Sequence, residues 1–279
     1  MSETPFDEFR AELLRTGGYD TSPAHRAKRR AKPSWWTTLS YSLKLSRVFP
    51  LCAIHQPLGD LTTDKWARFC FSSITGAEGL GMNVHIEGWQ NRAAYDGPVV
   101  YLCNHMSTIE TVLLPSVVLA YGPFNVVAKQ SLSRMPFLVK AAAQLGVVPI
   151  GRKSPREDLV NMLRISEERI KEGNSFLIFP QGTRQPVFSP RKVSSIGAKI
   201  AEKSGCPIVP IVVDTRCQGT RDKGLLRKVF KDFGPVRPEY DIRCCCGPVI
   251  PHDKSKVMHE RMLEWMVEQH ERWQLPLER

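Results

Sequence analysis

The stretch Asn104-His105-Met106-Ser107-Thr108-Ile109-Glu110 sets an imidazole five positions before a carboxylate, directly after the apolar run Val99–Cys103. Neutral histidine takes a proton from a hydroxyl near neutral pH. A carboxylate on the second ring nitrogen fixes the tautomer and stabilises the imidazolium that forms. On a continuous helix, side chains five residues apart point about 140° away from each other. The two groups therefore meet only if His105 lies in a strand-to-helix turn and Glu110 in the first turns of the helix. Ser107 or Thr108 would cap that helix, and the backbone amides of residues 106–108 would support a developing oxyanion. A second stretch, Phe179-Pro180-Gln181-Gly182-Thr183-Arg184, follows another apolar run about seventy residues later. Glycine lets backbone amides approach an anion closely, and arginine grips a phosphate with two parallel hydrogen bonds. Lys129 and Arg152 each follow an apolar strand candidate, at the sheet edge where open α/β folds bind ligands. Taken singly, each feature also reads as something ordinary: a histidine in a turn beside a solvated glutamate, a proline-glycine turn, a loop cation. Together, in this order, they point to transfer of an acyl group onto a hydroxyl of a phosphate-bearing acceptor.

The elements that must position these residues alternate. Strands are predicted at 84–87, 99–103, 124–128, 147–150, 175–179, 208–213 and 242–246, and helices at 109–120, 137–144, 156–172, 194–204 and 256–274. Strands alternating with helices predict an α/β fold, a central mostly parallel or mixed sheet flanked by helices. Ahead of it, residues 1–33 read as a basic polar arm, with Arg26, Lys28, Arg29, Arg30 and Lys32 clustered before Pro33. Residues 34–83 read as an N-terminal helical hairpin, and 84–279 as the main domain. Val257, Met258, Leu263, Met266 and Val267 give the last helix an apolar stripe suited to core packing.

Composition narrows the partners. Lys and Arg number 39 against 28 Asp and Glu, a formal charge of +11, which favours an anionic partner. Nucleic acid is a poor account of it, because the cations sit in separate clusters and no nucleic-acid-binding motif occurs. No run of about 18 apolar residues predicts a spanning helix, and the acidic start Ser2, Glu3, Asp7, Glu8 does not resemble a secretion signal. Trp35 and Trp36 beside the basic cluster suit a membrane–water interface; the same residues also fit a solvated arm followed by a core helix. The basic loop with Arg216, Arg221, Lys223, Arg227, Lys228 and Lys231 has the same two readings, solvated loop or contact with anionic headgroups. The eight cysteines include three in a row, Cys244, Cys245 and Cys246, which cannot converge on a metal from one strand. They read as reduced apolar filler, with no metal site.

With these residues in place, the chain resembles the glycerolipid acyltransferase family, whose best-known members are the lysophosphatidate acyltransferases. The family's Asn-His-x-x-x-x-Asp motif corresponds to Asn104, His105 and, with a change, Glu110. Its second motif corresponds to Gly146-Val147-Val148-Pro149-Ile150-Gly151-Arg152, and its third, Phe-Pro-Glu-Gly-Thr-Arg, to Phe179, Pro180, Gly182, Thr183 and Arg184, with Gln181 in place of glutamate. Its apolar fourth motif corresponds to Val209-Pro210-Ile211-Val212. Order and spacing agree over about residues 84–250. The resemblance implies an acyl thioester donor, acyl-CoA or acyl carrier protein, as co-substrate and no separate cofactor. It implies His105 as base with direct attack, Glu110 orienting it, and Lys129, Arg152, Gly182, Thr183 and Arg184 on the acceptor, supported by Asn104 and Gln181. It also implies that residues 34–83 dock peripherally on a membrane, expected at its cytoplasmic face. Glu110 carries its carboxylate about 1.5 Å further out than aspartate would. Gln181 removes a negative charge beside the phosphate site while keeping the capacity to donate and accept, which leaves headgroup preference open. Lysophosphatidate is the first expectation. Glycerol 3-phosphate, another lysophospholipid, a lyso-aminolipid, or lipid binding without turnover are the alternatives.

Overall fold

The computed structural model describes residues 4–129, 136–150, 155–219 and 234–278. The chain begins with helix α1 (Pro5–Thr16) and a short strand β1 (Tyr19–Asp20). Helices α2 (Trp35–Ser46), α3 (Val48–His55), α4 (Thr63–Cys70) and α5 (Ser72–Glu78) follow. Next come β2 (Val84–Glu87), α6 (Gln90–Ala93), β3 (Val100–Cys103), α7 (Ile109–Val118), β4 (Phe124–Lys129), α8 (Pro136–Gln144) and β5 (Val147–Ile150). The chain continues with α9 (Pro155–Lys171), β6 (Ser175–Ile178), α10 (Ile196–Ser204), β7 (Ile208–Asp214), β8 (Ile242–Cys246) and α11 (Ser255–Arg272).

Among the described residues the strands form one eight-stranded sheet in the order β1-β2-β8-β7-β3-β6-β4-β5. It is mixed: β1–β2 and β7–β8 are antiparallel and the other neighbours parallel. Period-two alternation splits each strand between two cores. Tyr101, Cys103, Val209, Ile211 and Val213 face the layer built by α1, α2, α4, α5 and α7. Val100, Leu102, Ile208 and Val212 face α9, α10 and α11. Both faces are covered, so β3, β6 and β7 are buried along their length, as parallel central strands usually are. On the second face α10 lies so close to β3 that a Cβ on Gly197 would stand 2.2 Å from Leu102 Cδ2. Cys244 and Cys246 enter the first core.

Residues 4–33 correct the expectation of a polar arm over 1–33. Residues 5–16 form a helix whose Phe6, Phe9 and Leu13 are buried, and β1 extends the sheet through Tyr19↔Ile86. Capping explains the helix: the Thr4 hydroxyl accepts from Asp7 N–H, the Asp7 carboxylate takes the Thr4 N–H in return, and Gly17 closes the last turn with φ +70°. The basic cluster that follows is partly structural. Arg26 donates to Asn83 Oδ1 at 2.6 Å, and Arg30 pairs with Asp241 at 2.7 Å.

Residues 34–83 form a hairpin of two bent arms. In the first, α2 runs into α3 at Arg47; in the second, α4 runs into α5 at Phe71. α2 packs on α5 and α3 on α4. The inner side carries Tyr41, Leu45, Trp66 and Ile74 into the core. The outer side leaves Trp35 at 62%, Trp36 at 64%, Leu43 at 60% and Leu58 at 68% of full exposure.

Candidate active site

His105 follows β3 in the turn before α7, and Glu110 is the second residue of that helix. The bend brings His105 Nδ1 to 2.9 Å from Glu110 Oε1. The Glu110 side chain is 0% exposed, and an ionised carboxylate there needs donors on every side. It has five. His105 Nδ1, Met106 N–H at 2.5 Å and Ser107 N–H at 2.7 Å reach Oε1; the hydroxyls of Ser107 at 2.9 Å and Thr215 at 2.7 Å reach Oε2. Burial pushes the Glu110 carboxyl up. The hydrogen bond and charge of His105, the Ser107 amide and the Thr215 hydroxyl outweigh it and hold the group below the ordinary glutamate range. With Glu110 anionic, the neutral tautomer of the His105 ring carries its proton on Nδ1 and a lone pair on Nε2. The ring is mostly buried and stacks on Phe179 with centroids 4.4 Å apart.

The same donor set overturns the expected role of the amides at 106–108. Met106 and Ser107 spend their N–H groups on Glu110, and Thr108 N–H donates to Gln218 Oε1 at 3.1 Å. The longer glutamate side chain reaches into the amide nest ahead of the helix. Nor does Thr108 cap the helix with its side chain; the Ser107 hydroxyl takes the Ile109 N–H at 3.0 Å instead.

The second stretch folds against this turn. Gln181 Oε1 accepts the His105 N–H at 2.7 Å, and Gln185 N–H donates to the His105 carbonyl at 2.8 Å. Gly182 takes φ +66°, with its N–H closing a turn onto Phe179. Thr183 is exposed in the same bend. Arg184 is partly buried, and its Nη1 donates to Thr108 Oγ1 at 2.7 Å, so its guanidinium stands one residue from the His105–Glu110 pair. Burial works against the Arg184 charge and the nearby Glu110 supports it.

Asn104 acts below the site. Its Oδ1 accepts from Val213 N–H at 2.7 Å and its Nδ2 donates to Val213 O at 2.9 Å, clamping the end of β3 to β7. Lys129 ends β4, in register with Ile150 of β5, at the strand-end edge that also carries His105. Arg152 lies outside the described residues, as do Arg221, Lys223, Arg227, Lys228 and Lys231 of the basic loop. Arg216 pairs with the buried Asp214 at 3.1 Å and stacks over Tyr240. Sequence reasoning missed Ser107 as a carboxylate donor, and missed Thr215 and Gln218 altogether. The hydroxyl three positions before Glu110 was a readable signal for Ser107. Thr215 and Gln218 had none, because only the β3–β7 pairing brings them to the turn.

The chain is similar in sequence and fold to known acyltransferases. A family model described as Acyltransferase matches residues 83–214. A 1-acyl-sn-glycerol-3-phosphate acyltransferase of Pseudomonas aeruginosa is 31% identical over 176 residues, 63% of each chain. The chloroplastic 1-acyl-sn-glycerol-3-phosphate acyltransferase LPAT1 of Arabidopsis thaliana is 29% identical over 53% of this chain and 42% of its own. The chain thus spans less than two thirds of either relative. The crystal structure of the 1-acyl-sn-glycerophosphate acyltransferase PlsC from Thermotoga maritima shares the fold, with a TM-score of 0.59 at 18% identity over 85% of this chain and 95% of that one. Residues 83–214 thus match the acyltransferase family model, and the chain shares its fold with the Thermotoga maritima enzyme.

Proposed function

We propose that the protein transfers a fatty acyl group from an acyl thioester, carried by coenzyme A or acyl carrier protein, to the free hydroxyl of lysophosphatidate. The observation that carries this reading is the buried Glu110, held by five donors and bonded to Nδ1 of His105. With Nδ1 committed, Nε2 takes the acceptor's hydroxyl proton as its oxygen attacks the thioester carbonyl carbon. The tetrahedral species collapses by breaking the carbon–sulfur bond, and Nε2 returns the proton to the departing thiolate. No covalent enzyme intermediate is needed. Arg184, with Lys129 at the same sheet edge, holds the acceptor phosphate, and much of the rate gain comes from that orientation. The names of the relatives support lysophosphatidate as acceptor.

The acceptor and its product are amphiphiles, and the hairpin exposes the apolar side chains of Trp35, Trp36, Leu43 and Leu58. Among the described residues no helix is long and apolar enough to cross a membrane. Peripheral docking through the hairpin, at the cytoplasmic face, fits both facts.

The test is acyl transfer by purified protein on mixed micelles with lysophosphatidate and each thioester. His105→Ala is expected to lower turnover by about 10³-fold or more. Retention of most of the wild-type turnover would overturn the mechanism.

A further inference from the structure

The strongest unexplained feature near the site is a buried donor with nothing to bond. Gln218 is 2% exposed. Its Oε1 accepts the Thr108 N–H at 3.1 Å, which leaves Nε2 as the free half of the carboxamide. That Nε2 has no hydrogen-bond partner among the described residues. A buried amide N–H₂ without an acceptor is costly, and native folds retain few of them. Thr108 is held from two directions: Gln218 takes its backbone N–H while Arg184 donates to its hydroxyl. Gln218 and Arg184 thus share Thr108 as a hydrogen-bond partner. A ligand that presents several oxygen acceptors satisfies both, and a phosphate does so.

We infer that Gln218 is a specificity residue of the acceptor site, donating through Nε2 to a phosphate oxygen beside Arg184. Its position also suits this role. It lies four residues beyond the segment matched by the family model, in a connection tied back to the sheet by its own N–H to Thr215 O. The same turn carries Thr215, a donor to Glu110, so acceptor binding and orientation of the base share one support. A neutral amide donates without adding charge, so it complements an anion already matched by arginine. The inference rests on the acyltransferase reading given above.

The decisive variant is Gln218→Glu. It keeps an oxygen for the Thr108 N–H and turns only the orphaned atom from a donor into an anionic acceptor. Gln218→Met, which removes both groups, is the second variant. Two readouts are needed. The first is KM and kcat with lysophosphatidate and with a monoacylglycerol, an acceptor of the same shape without phosphate. The second is the thermal shift of the purified protein with glycerol 3-phosphate, which requires no turnover. For Gln218→Glu the expectation is a KM for lysophosphatidate raised about tenfold or more. The loss on the monoacylglycerol should be much smaller than the loss on lysophosphatidate, and the glycerol 3-phosphate shift should disappear. Gln218→Met should show the same pattern more weakly. Equal losses on both acceptors with KM unmoved, or a glycerol 3-phosphate shift retained in Gln218→Glu, would overturn the inference. If wild-type protein transfers no acyl group yet glycerol 3-phosphate still stabilises it in a Gln218-dependent way, the acyl-transfer reading fails and the phosphate site stands.

Discussion

The two halves of the site are built to opposite rules. In the turn between β3 and α7 the amides and the carboxylate are committed: five donors surround Glu110, and the N–H groups of residues 105–108 all have acceptors. Facing it, the connections after β6 and β7 leave donors unspent. Gln181 Nε2 and Gln218 Nε2 are buried with no partner among the described residues, although the Oε1 of each side chain is fixed. On the proposed reading the saturated half sets the proton-transfer geometry, and the unsaturated half takes an oxygen-rich ligand. Substitutions in the first should therefore fall on kcat, and substitutions in the second on KM.

The largest effect is expected at Glu110. Glu110→Gln keeps the shape but presents an N–H₂ group to donors and no longer fixes the Nδ1–H tautomer. Turnover should fall about 10³-fold with KM little changed, measured by acyl release from thioester. A large rise in KM instead would blur the division between the halves. Arg184→Ala comes next and should raise KM for lysophosphatidate about 10- to 100-fold with a smaller change in kcat. Acceptor titrations check it, and a pure kcat defect would contradict the binding role. Thr215→Val is the mildest and most diagnostic. It removes one of the five donors, at a cost of about 1–2 kcal/mol in stability, and should lower kcat about tenfold or less.

That variant also carries a pH signature. The folded Glu110 carboxyl lies below its ordinary value of 4.5, so the unfolded chain binds the proton more readily. The resulting stability is present in full above about pH 4.5 and is lost as pH falls through the folded value. Losing the Thr215 hydroxyl raises the folded value, so the acid limb of the melting-temperature curve should move to higher pH in Thr215→Val. Superimposable acid limbs would show that Thr215 does not act through Glu110.

Legibility in the sequence followed the same division. The sheet was readable because 84–87, 99–103, 147–150, 175–179 and 208–213 are short apolar runs set between amphipathic stretches, and hydrophobic periodicity reports burial directly. The pairing of His105 with Glu110 was readable because helix geometry forbids it unless a turn intervenes. Three things were not read. The α1 helix announces itself through Thr4, Pro5, Asp7 and Gly17, but polar composition around it suggested a loose arm. The fate of the amides at 106–108 depends on side-chain length: glutamate, unlike aspartate, reaches back over the turn that precedes the helix. Thr215 and Gln218 contribute through space only, since β7 places residue 215 beside residue 110 across 105 positions of chain.

The central claim is that His105 and Glu110 act as one proton-transfer unit. A double-mutant cycle on turnover tests it most directly, with His105→Ala, Glu110→Gln and the double variant assayed on lysophosphatidate. The double variant is expected to be no slower than His105→Ala alone, because the carboxylate has no work once the imidazole is gone. Losses that multiply, each residue costing its full factor in the absence of the other, would contradict it.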